Sequence, residues 1–276
     1  MAGPSNLVVR VLTALVGAPI ILGLLYFGPP VGFFALTTAA TAVASYELFG
    51  MSHPDDRGGR VLGVALSLVV SVVAFFFGGD ARVLLTLIAL LPIVAFFITL
   101  ARLGEIPTAG LRAMALGMGP LYVGLPLALL AAMRRDVGGN AGAGFVVLSL
   151  LLAWFADTGG YFAGRFLGKH KLYEAVSPKK TVEGAIGGLA AAVLGALLAS
   201  FWFLPSLPVM HGVVLAIVGG AAGQAGDLAE SLLKRSTGVK DSGAILPGHG
   251  GILDRVDALL VTSTVTFLYV LWAAPR

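Results

Sequence analysis

The stretch RVLLTLIALLPIVAFFITLA, residues 82–101, carries a single charged side chain. As an α-helix it would be about 30 Å long, which matches the hydrocarbon thickness of a bilayer. Across the whole chain 58% of residues are hydrophobic and 12% are charged, against about 25% charged in a soluble domain. Similar apolar runs lie at roughly 7–27, 31–50, 61–78, 82–101, 111–133, 143–166, 184–205, 209–233 and 253–274. The sequence therefore predicts an all-α polytopic membrane protein with about nine transmembrane helices.

Lysine and arginine are divided unequally between the two sides of the membrane that nine spans define. Of 18 such residues, 14 fall on the side of the amino terminus, which leaves 18 − 14 = 4 on the other. Because cytoplasmic loops are enriched in Lys and Arg, this predicts a cytoplasmic amino terminus and a carboxy terminus outside. The richer side carries Arg10, Arg57, Arg60, Arg102, Arg112, Arg165, Lys169, Lys171, Lys179, Lys180, Lys234, Arg235, Lys240 and Arg255.

The two halves of the chain differ in polar content. Residues 1–140 contain Leu-, Val- and Ala-rich spans with few ionisable groups, which predicts N-terminal helices that act as scaffold and face lipid. Residues 141–276 concentrate charge and glycine at predicted cytoplasmic helix ends, which predicts C-terminal helices that carry the functional site on the cytoplasmic side. The chain has no cysteine, so disulfides, thiolate metal sites and cysteine nucleophiles are excluded.

The most polar segment is SLLKRSTGVKDSGAILPGHGGILDRVDALL, residues 231–260. Asp227, Ser231 and Lys234 are four and then three residues apart at the end of one predicted span. At about 100° per residue they share one face of a helix, with Glu230 at its edge. This spacing predicts a polar helix face that begins inside the apolar span and continues into the loop.

The next span starts with two further carboxylates, Asp254 and Asp257, after Gly250 and Gly251. Carboxylates mixed with cations suit a magnesium–polyphosphate site, because Mg²⁺ takes one or two carboxylates plus phosphate oxygens while Lys and Arg neutralise the remaining charge. Glycines let backbone N–H groups approach a phosphate. The alternative is a solvated loop whose acids pair with neighbouring cations, which leaves Asp227 on its apolar span unexplained. The cations of this segment are Lys234, Arg235, Lys240 and Arg255.

A second polar cluster lies in WFADTGGYFAGRFLGKHK, residues 154–171. Asp157, Tyr161 and Arg165 are four residues apart and therefore lie on nearly the same helix face. Acids inside membrane spans usually face a cavity, so Asp157 is a candidate substrate-binding residue. Three glycines at small-xxx-small spacing favour close helix packing: Gly160, Gly164 and Gly168.

The segment SPKKTVEG, residues 177–184, follows this cluster. Ser177 and Pro178 predict a helix start, with Lys179 and Lys180 beside it. These lysines could bind substrate phosphate or anchor the chain to anionic lipid headgroups. His249 precedes two glycines, and both a conformational and a chemical role stay open for it.

The run SLLKRSTGVKDSGAILPGHGGILDRVD, residues 231–257, resembles the signature of bacterial phosphatidate cytidylyltransferases: S-x-L-K-R, K-D-x-G and L-P-x-H-G-G-I-x-D-R-V-D. ADTGGYFAGR and SPKKTVEG resemble further stretches of that family in the same order. The resemblance implies transfer of CMP from CTP to phosphatidic acid, which gives CDP-diacylglycerol and pyrophosphate for phospholipid biosynthesis. It also implies a homodimer in the bacterial cytoplasmic (inner) membrane, with no nucleic-acid partner.

The resemblance assigns roles to individual residues. Asp227 and Asp254 match the two metal-binding aspartates of the family. The members of that family use Mg²⁺ with a potassium ion beside it. Further positions expected to take part in catalysis are Ser231, Lys234, Arg235, Lys240, Asp241, Arg255 and Asp257. The residue chemistry, rather than the resemblance, makes a further set of positions candidates to bind substrate: Asp157, Ser177, Lys179, Lys180 and His249.

Two other classes of protein remain as alternatives. A CTP-dependent polyprenol kinase would also be membrane-embedded and bind CTP, but it would transfer the γ-phosphate. A transporter would explain buried acids and interrupted helices, but it would not require a one-sided loop of cations and carboxylates. CDP-alcohol phosphotransferases are disfavoured because their D-G-x-x-A-R motif is absent.

Overall fold

The computed structural model describes the backbone of residues 6–243 and 250–274, and side chains from Leu15 onward apart from residue 16. Helices dominate the described chain: α1 Asn6–Tyr26, α2 Pro30–Ser52, α3 Arg57–Phe77, α4 Ala81–Ala101, α5 Ile106–Asp136, α6 Ala141–Leu167, α7 Val182–Phe203, α8 Val209–Ser236 and α9 Leu253–Trp272. Two of them include a π-helical turn, Pro120–Gly124 in α5 and Ala199–Phe203 at the end of α7.

The helices agree with the predicted spans to within a few residues. Among the described residues, the eight helices α2 to α9 are long and apolar enough to cross a membrane. The apolar part of α1 that the structure describes, Gly17–Tyr26, is shorter. The prediction of an all-α polytopic membrane protein is therefore confirmed.

A short β-hairpin lies between α6 and α7. Its strands, β1 Lys171–Tyr173 and β2 Ser177–Thr181, are antiparallel. The predicted helix start at Ser177 and Pro178 is therefore wrong. Thr181 is the residue that starts α7, because its backbone is extended and its hydroxyl accepts a hydrogen bond from the Gly184 N–H at 3.1 Å. Pro178 fits β2 because a two-stranded ribbon consists only of edge strands, where a missing N–H is tolerated.

Glu183 fastens the base of the hairpin to the first turn of α7. Its Oε2 atom accepts hydrogen bonds from the N–H groups of Lys169 at 3.0 Å and His170 at 3.2 Å. Its Oε1 atom lies 2.6 Å from Nδ1 of His170. These contacts fix the direction in which the chain leaves α6, and so they orient the lysines of β2.

The structure divides into two units. The first comprises residues 1–132 together with 241–255, and the second comprises residues 133–240 together with 256–276. The predicted division of roles between residues 1–140 and 141–276 stays a prediction.

In the first unit the core is built around Phe49 of α2, which is fully buried against Ala95 and Leu116. Outside the spans, Asp56 caps α3 by accepting a hydrogen bond from the Gly59 N–H at 2.9 Å. The guanidinium of Arg102 donates to the same carboxylate at 2.8 Å, and these bonds lower the pKa of Asp56 below its usual value. The loop between α2 and α3 is thus tied to the end of α4.

In the second unit α6 and α7 approach closely through small residues. A Cβ atom added to Gly159 would overlap Ala191, and one added to Gly187 would overlap Ala163. Gly164 lies against the Thr181 hydroxyl, 3.1 Å from where its Cβ would be. Helices in lipid gain little from hydrophobic burial, so contact between small residues is what holds such a pair together. Of the glycines predicted to pack closely, Gly160 and Gly164 lie against Gly184 of α7, and Gly168 lies against Thr181.

We expect Gly187→Leu to destabilise the protein more than Ala190→Leu, an exposed position on the same helix. The leucine at 187 must displace Ala163, and overpacking of this kind costs about 1–3 kcal/mol. The measurement is the loss of the monodisperse peak in size-exclusion chromatography after heating in detergent. Equal melting midpoints for the two variants would contradict the packing described here.

Candidate active site

The second unit contains a cavity of about 350 Å³ between α6, the hairpin, α7 and α8. Glycines and alanines line part of it, because the close approach of α6 and α7 leaves no room there for larger side chains. Its polar lining consists mainly of residues predicted from the sequence: Asp157, Tyr161, Arg165, Lys179, Lys180 and Asp227. The two polar clusters recognised in the sequence, in α6 and in α8, therefore meet at one cavity.

An ion pair stands in the wall of this cavity. The Lys180 Nζ atom lies 2.6 Å from Oδ2 of Asp227, and both side chains are partly buried. The Ser231 hydroxyl lies one turn further along α8, 3.5 Å from Oδ1 of Asp227. Asp227 therefore faces the interior of the protein, as expected for an acid on an apolar span.

Lys234 lies one turn beyond Glu230, the acid that the sequence places at the edge of the polar face. It forms an ion pair with Glu230, one turn earlier on α8, and the two residues are 9% and 1% exposed. A buried ion pair of this kind is stable only while both charges are present. Glu230, which the sequence placed at the edge of the polar face, is thus the residue that balances Lys234.

Four carboxylates gather in this unit. Asp257 is only 9% exposed, and Asp157, Asp227 and Glu230 are the charged neighbours that act on it electrostatically. Its Oδ1 atom accepts a hydrogen bond from the Ala258 N–H at 2.7 Å. Lys180 and Lys234 offset part of this negative charge through their ion pairs. Carboxylates and lysines are the side chains that bind a divalent cation together with phosphate, although no three His, Asp or Glu side chains of the described residues are grouped closely enough to hold a metal by themselves.

Two further polar contacts line or border the cavity. The Arg165 guanidinium donates to the Tyr161 hydroxyl at 2.8 Å, which confirms that these residues share a face of α6. Gln224 of α8, a lining residue that the sequence gave no reason to single out, donates from its amide to the Ala185 carbonyl at 3.1 Å. This hydrogen bond joins α8 to α7 at the cavity.

In the first unit, Asp254 is held by the polar loop that precedes α9, residues 241–252, of which 241–243 and 250–252 are described. Its Oδ2 atom accepts hydrogen bonds from the Ser242 N–H at 3.0 Å, the Ser242 hydroxyl at 2.9 Å and the Gly251 N–H at 2.9 Å. The carboxylate of Glu47, on α2, binds the same loop. Glu47 is not among the residues predicted from the sequence, although an acid inside an apolar span is the signal that singled out Asp157 and Asp227.

The remaining predicted residues lie at the surface or outside the described chain. Arg235 donates to the Val239 carbonyl at 3.2 Å and is exposed. Lys240, Asp241 and Arg255 are exposed, and Ser177 is partly exposed in β2. His249 lies outside the described residues. Their predicted roles stay predictions.

Residues 8–273 match the cytidylyltransferase family. The chain belongs to this family. It is 38% identical over 271 residues to a phosphatidate cytidylyltransferase of Brucella suis, an alignment that covers 96% of this chain and 93% of the relative. It is 43% identical over 143 residues to a phosphatidate cytidylyltransferase of Staphylococcus haemolyticus, which covers 52% of this chain and 53% of the relative. The family resemblance of residues 231–257 is thus confirmed.

We expect Lys180→Met to weaken binding of CTP about tenfold or more, because a hydrogen bond to a charged group contributes about 1.5–3 kcal/mol. The affinity follows from the rise of the thermal unfolding midpoint with nucleotide concentration. Lys169→Met makes the same chemical change at an exposed lysine outside the lining of the cavity. Equal affinities in the two variants would remove Lys180 from the site.

Proposed function

We propose that this protein is a phosphatidate cytidylyltransferase, which transfers CMP from CTP to phosphatidic acid and releases pyrophosphate. The observation that carries the proposal is the cavity in which Asp227 and Lys180 form an ion pair, in a chain of the cytidylyltransferase family. The names of the relatives supply the lipid substrate.

The proposed reaction needs no side-chain nucleophile. An oxygen of the phosphatidate phosphate, already an anion at neutral pH, forms a bond to the α-phosphorus of CTP. The bond from that phosphorus to the oxygen that bridges to the β-phosphorus breaks, and its electron pair leaves with pyrophosphate. Catalysis of such a transfer consists mainly of positioning and of stabilising charge. Cations and carboxylates beside a cavity are therefore sufficient to catalyse the proposed transfer.

The cations of the cavity suit the phosphates. Lys179 is exposed in β2 and can follow a triphosphate, while Lys180 can exchange its bond to Asp227 for a bond to a phosphate oxygen. Arg165 offers a planar guanidinium with several N–H donors, a geometry that suits bidentate phosphate binding. Lys234 is already paired with Glu230, so we assign it to maintaining the charge balance of α8.

A metal-binding role for Asp227 and Asp254 remains part of the proposal. Within the described residues no three His, Asp or Glu side chains are grouped as a protein-only metal site. Mg²⁺ bound with nucleotide needs only one or two carboxylates, and the Asp227 carboxylate beside the cavity suits that requirement. When bound, Mg²⁺, with K⁺ beside it, would neutralise charge at the α-phosphate. Asp254 is assigned as a metal ligand from the sequence resemblance alone.

One observation keeps the lipid-kinase alternative open to test. A kinase needs a base to deprotonate an alcohol, and His170 lies 2.6 Å from Glu183 in the arrangement such a base would use. Neither residue belongs to the lining of the cavity, and their contacts serve to fasten the hairpin. The two functions differ in which phosphorus of CTP reaches the lipid.

CTP labelled on the α-phosphorus should transfer its label to lipid, while CTP labelled on the γ-phosphorus should release its label only as pyrophosphate. The assay uses purified protein, phosphatidic acid and Mg²⁺, with thin-layer separation of the lipids. Asp227→Asn should reduce transfer at least 100-fold, because it removes the charge of a metal ligand, whereas Asp55→Asn should leave transfer unchanged. Label that reaches lipid only from the γ position would establish the kinase instead.

We also propose that the protein is a homodimer in the bacterial inner membrane with its nucleotide site facing the cytoplasm. The charge bias predicts that the loop after α2 is cytoplasmic and that the loop after α7 lies outside. In this cysteine-free chain, Asp55→Cys and Ser206→Cys place a thiol at an exposed position in each loop.

A membrane-impermeant maleimide added to intact cells should label the 206 variant and not the 55 variant. Permeabilised cells should label both. Labelling of only the 55 variant in intact cells would show the opposite orientation to the one proposed. Labelling of both variants in intact cells would mean that the two loops lie on the same side, which contradicts an odd number of spans between them.

A further inference from the structure

Glu47 is an acid near the end of α2, inside a 23-residue apolar helix, and it is only 5% exposed. A carboxylate in such surroundings is costly unless the protein supplies hydrogen-bond donors. None of the chemistry proposed above uses Glu47. Because burying the Glu47 carboxylate costs free energy, we expect it to have a structural role among the residues that it contacts.

Glu47 receives its donors from both ends of the polar loop. Its Oε2 atom accepts hydrogen bonds from the Leu253 N–H at 2.8 Å and from the Ser242 hydroxyl at 3.2 Å. Its Oε1 atom accepts a hydrogen bond from the Ile252 N–H at 3.1 Å. The two amides belong to the first residue of α9 and the residue before it, where helix N–H groups lack partners within the helix. A negative charge at this end also interacts favourably with the helix dipole.

Two glycines of the loop pack directly on the Glu47 carboxylate. A Cβ atom added to Gly243 or to Gly251 would overlap carboxylate atoms of Glu47. From the sequence, the glycines of this segment are expected to let backbone N–H groups approach a phosphate. At these two positions the structure gives a different reason, because only glycine leaves room for the Glu47 side chain.

Glu47 and Asp254 are joined by one hydroxyl group. Ser242 Oγ lies 3.2 Å from Oε2 of Glu47 and 2.9 Å from Oδ2 of Asp254. Asp254 in turn binds the amides of Ser242 and Gly251, while Glu47 binds the two amides that follow. The two carboxylates together therefore hold the loop at Ser242 and the chain from Gly251 to Leu253.

We infer that Glu47 is a positioning residue that fixes the orientation of Asp254 and the start of α9. This inference rests on the proposed function, in which Asp254 is a metal ligand. Glu47 does not itself contact substrate in this role. It sets where the Asp254 carboxylate is presented, through Ser242 and through the amides that begin the helix.

The test compares Glu47→Gln with Glu105→Gln, the same chemical change at an exposed acid of the same unit. A glutamine at 47 has lost the charge, and its NH₂ group cannot accept hydrogen bonds from the amides. Hydrogen–deuterium exchange at Ile252 and Leu253 should accelerate about tenfold, the effect of losing one hydrogen bond to a charged group. In the CMP-transfer assay, kcat should fall about tenfold or more and half-saturation by Mg²⁺ should require a higher concentration. Glu47→Asp should partly restore the exchange rate, kcat and the Mg²⁺ concentration for half-saturation.

The outcomes separate this inference from the proposed function. Faster exchange with unchanged kcat and Mg²⁺ dependence would overturn the positioning role while leaving the function intact, and unchanged exchange would overturn it directly. Absence of CMP transfer by the unmodified protein would instead refute the function. If Glu47→Gln does not fold, Ser242→Ala decides, since it removes only the joining hydroxyl: a lower kcat with a raised Mg²⁺ requirement supports the inference, and wild-type kinetics overturn it.

Discussion

An ionised carboxylate inside a membrane-embedded chain must be satisfied by the protein itself, because lipid supplies no hydrogen-bond donors. This constraint explains the contacts of one buried or partly buried acid in each unit. Asp227 pairs with Lys180 and thereby joins α8 to the hairpin, and Glu47 accepts hydrogen bonds from the start of α9. In both cases the partner comes from a distant part of the sequence. Satisfying the charge therefore also builds tertiary structure at the place where the chemistry is proposed.

The glycines of the chain serve this arrangement in two physically different ways. Between α6 and α7 they bring helix backbones together where lipid gives no hydrophobic drive for association. The same absence of side chains leaves space at Gly160, Gly164 and Gly184, which line the cavity. In the loop before α9, Gly243 and Gly251 make room for a carboxylate. Their role is thus steric in each case, although the neighbour differs.

The sequence was sufficient wherever one element decides the outcome. Apolar length predicted the helices, and helical periodicity placed Tyr161 next to Arg165 and Asp227 next to Ser231. The sequence was insufficient to predict contacts between two elements. The hairpin strands are three and five residues long, too short for an alternating pattern to outweigh the apparent helix start at Ser177. Periodicity also could not pair Glu47 with Leu253, which is 206 residues away along the chain.

The ion pair between Lys180 and Asp227 has a further consequence under the proposed function. In a medium of low dielectric constant, an uncompensated charge is costly both before and after substrate binds. While no nucleotide is bound, the pair leaves neither of its own two charges uncompensated. Under the proposed function, Lys180 would hold a phosphate of the bound nucleotide, and Asp227 would hold the divalent cation that accompanies it. Each protein charge then exchanges one partner for another, so the site can bind a highly charged substrate without leaving a buried charge unpaired at either stage.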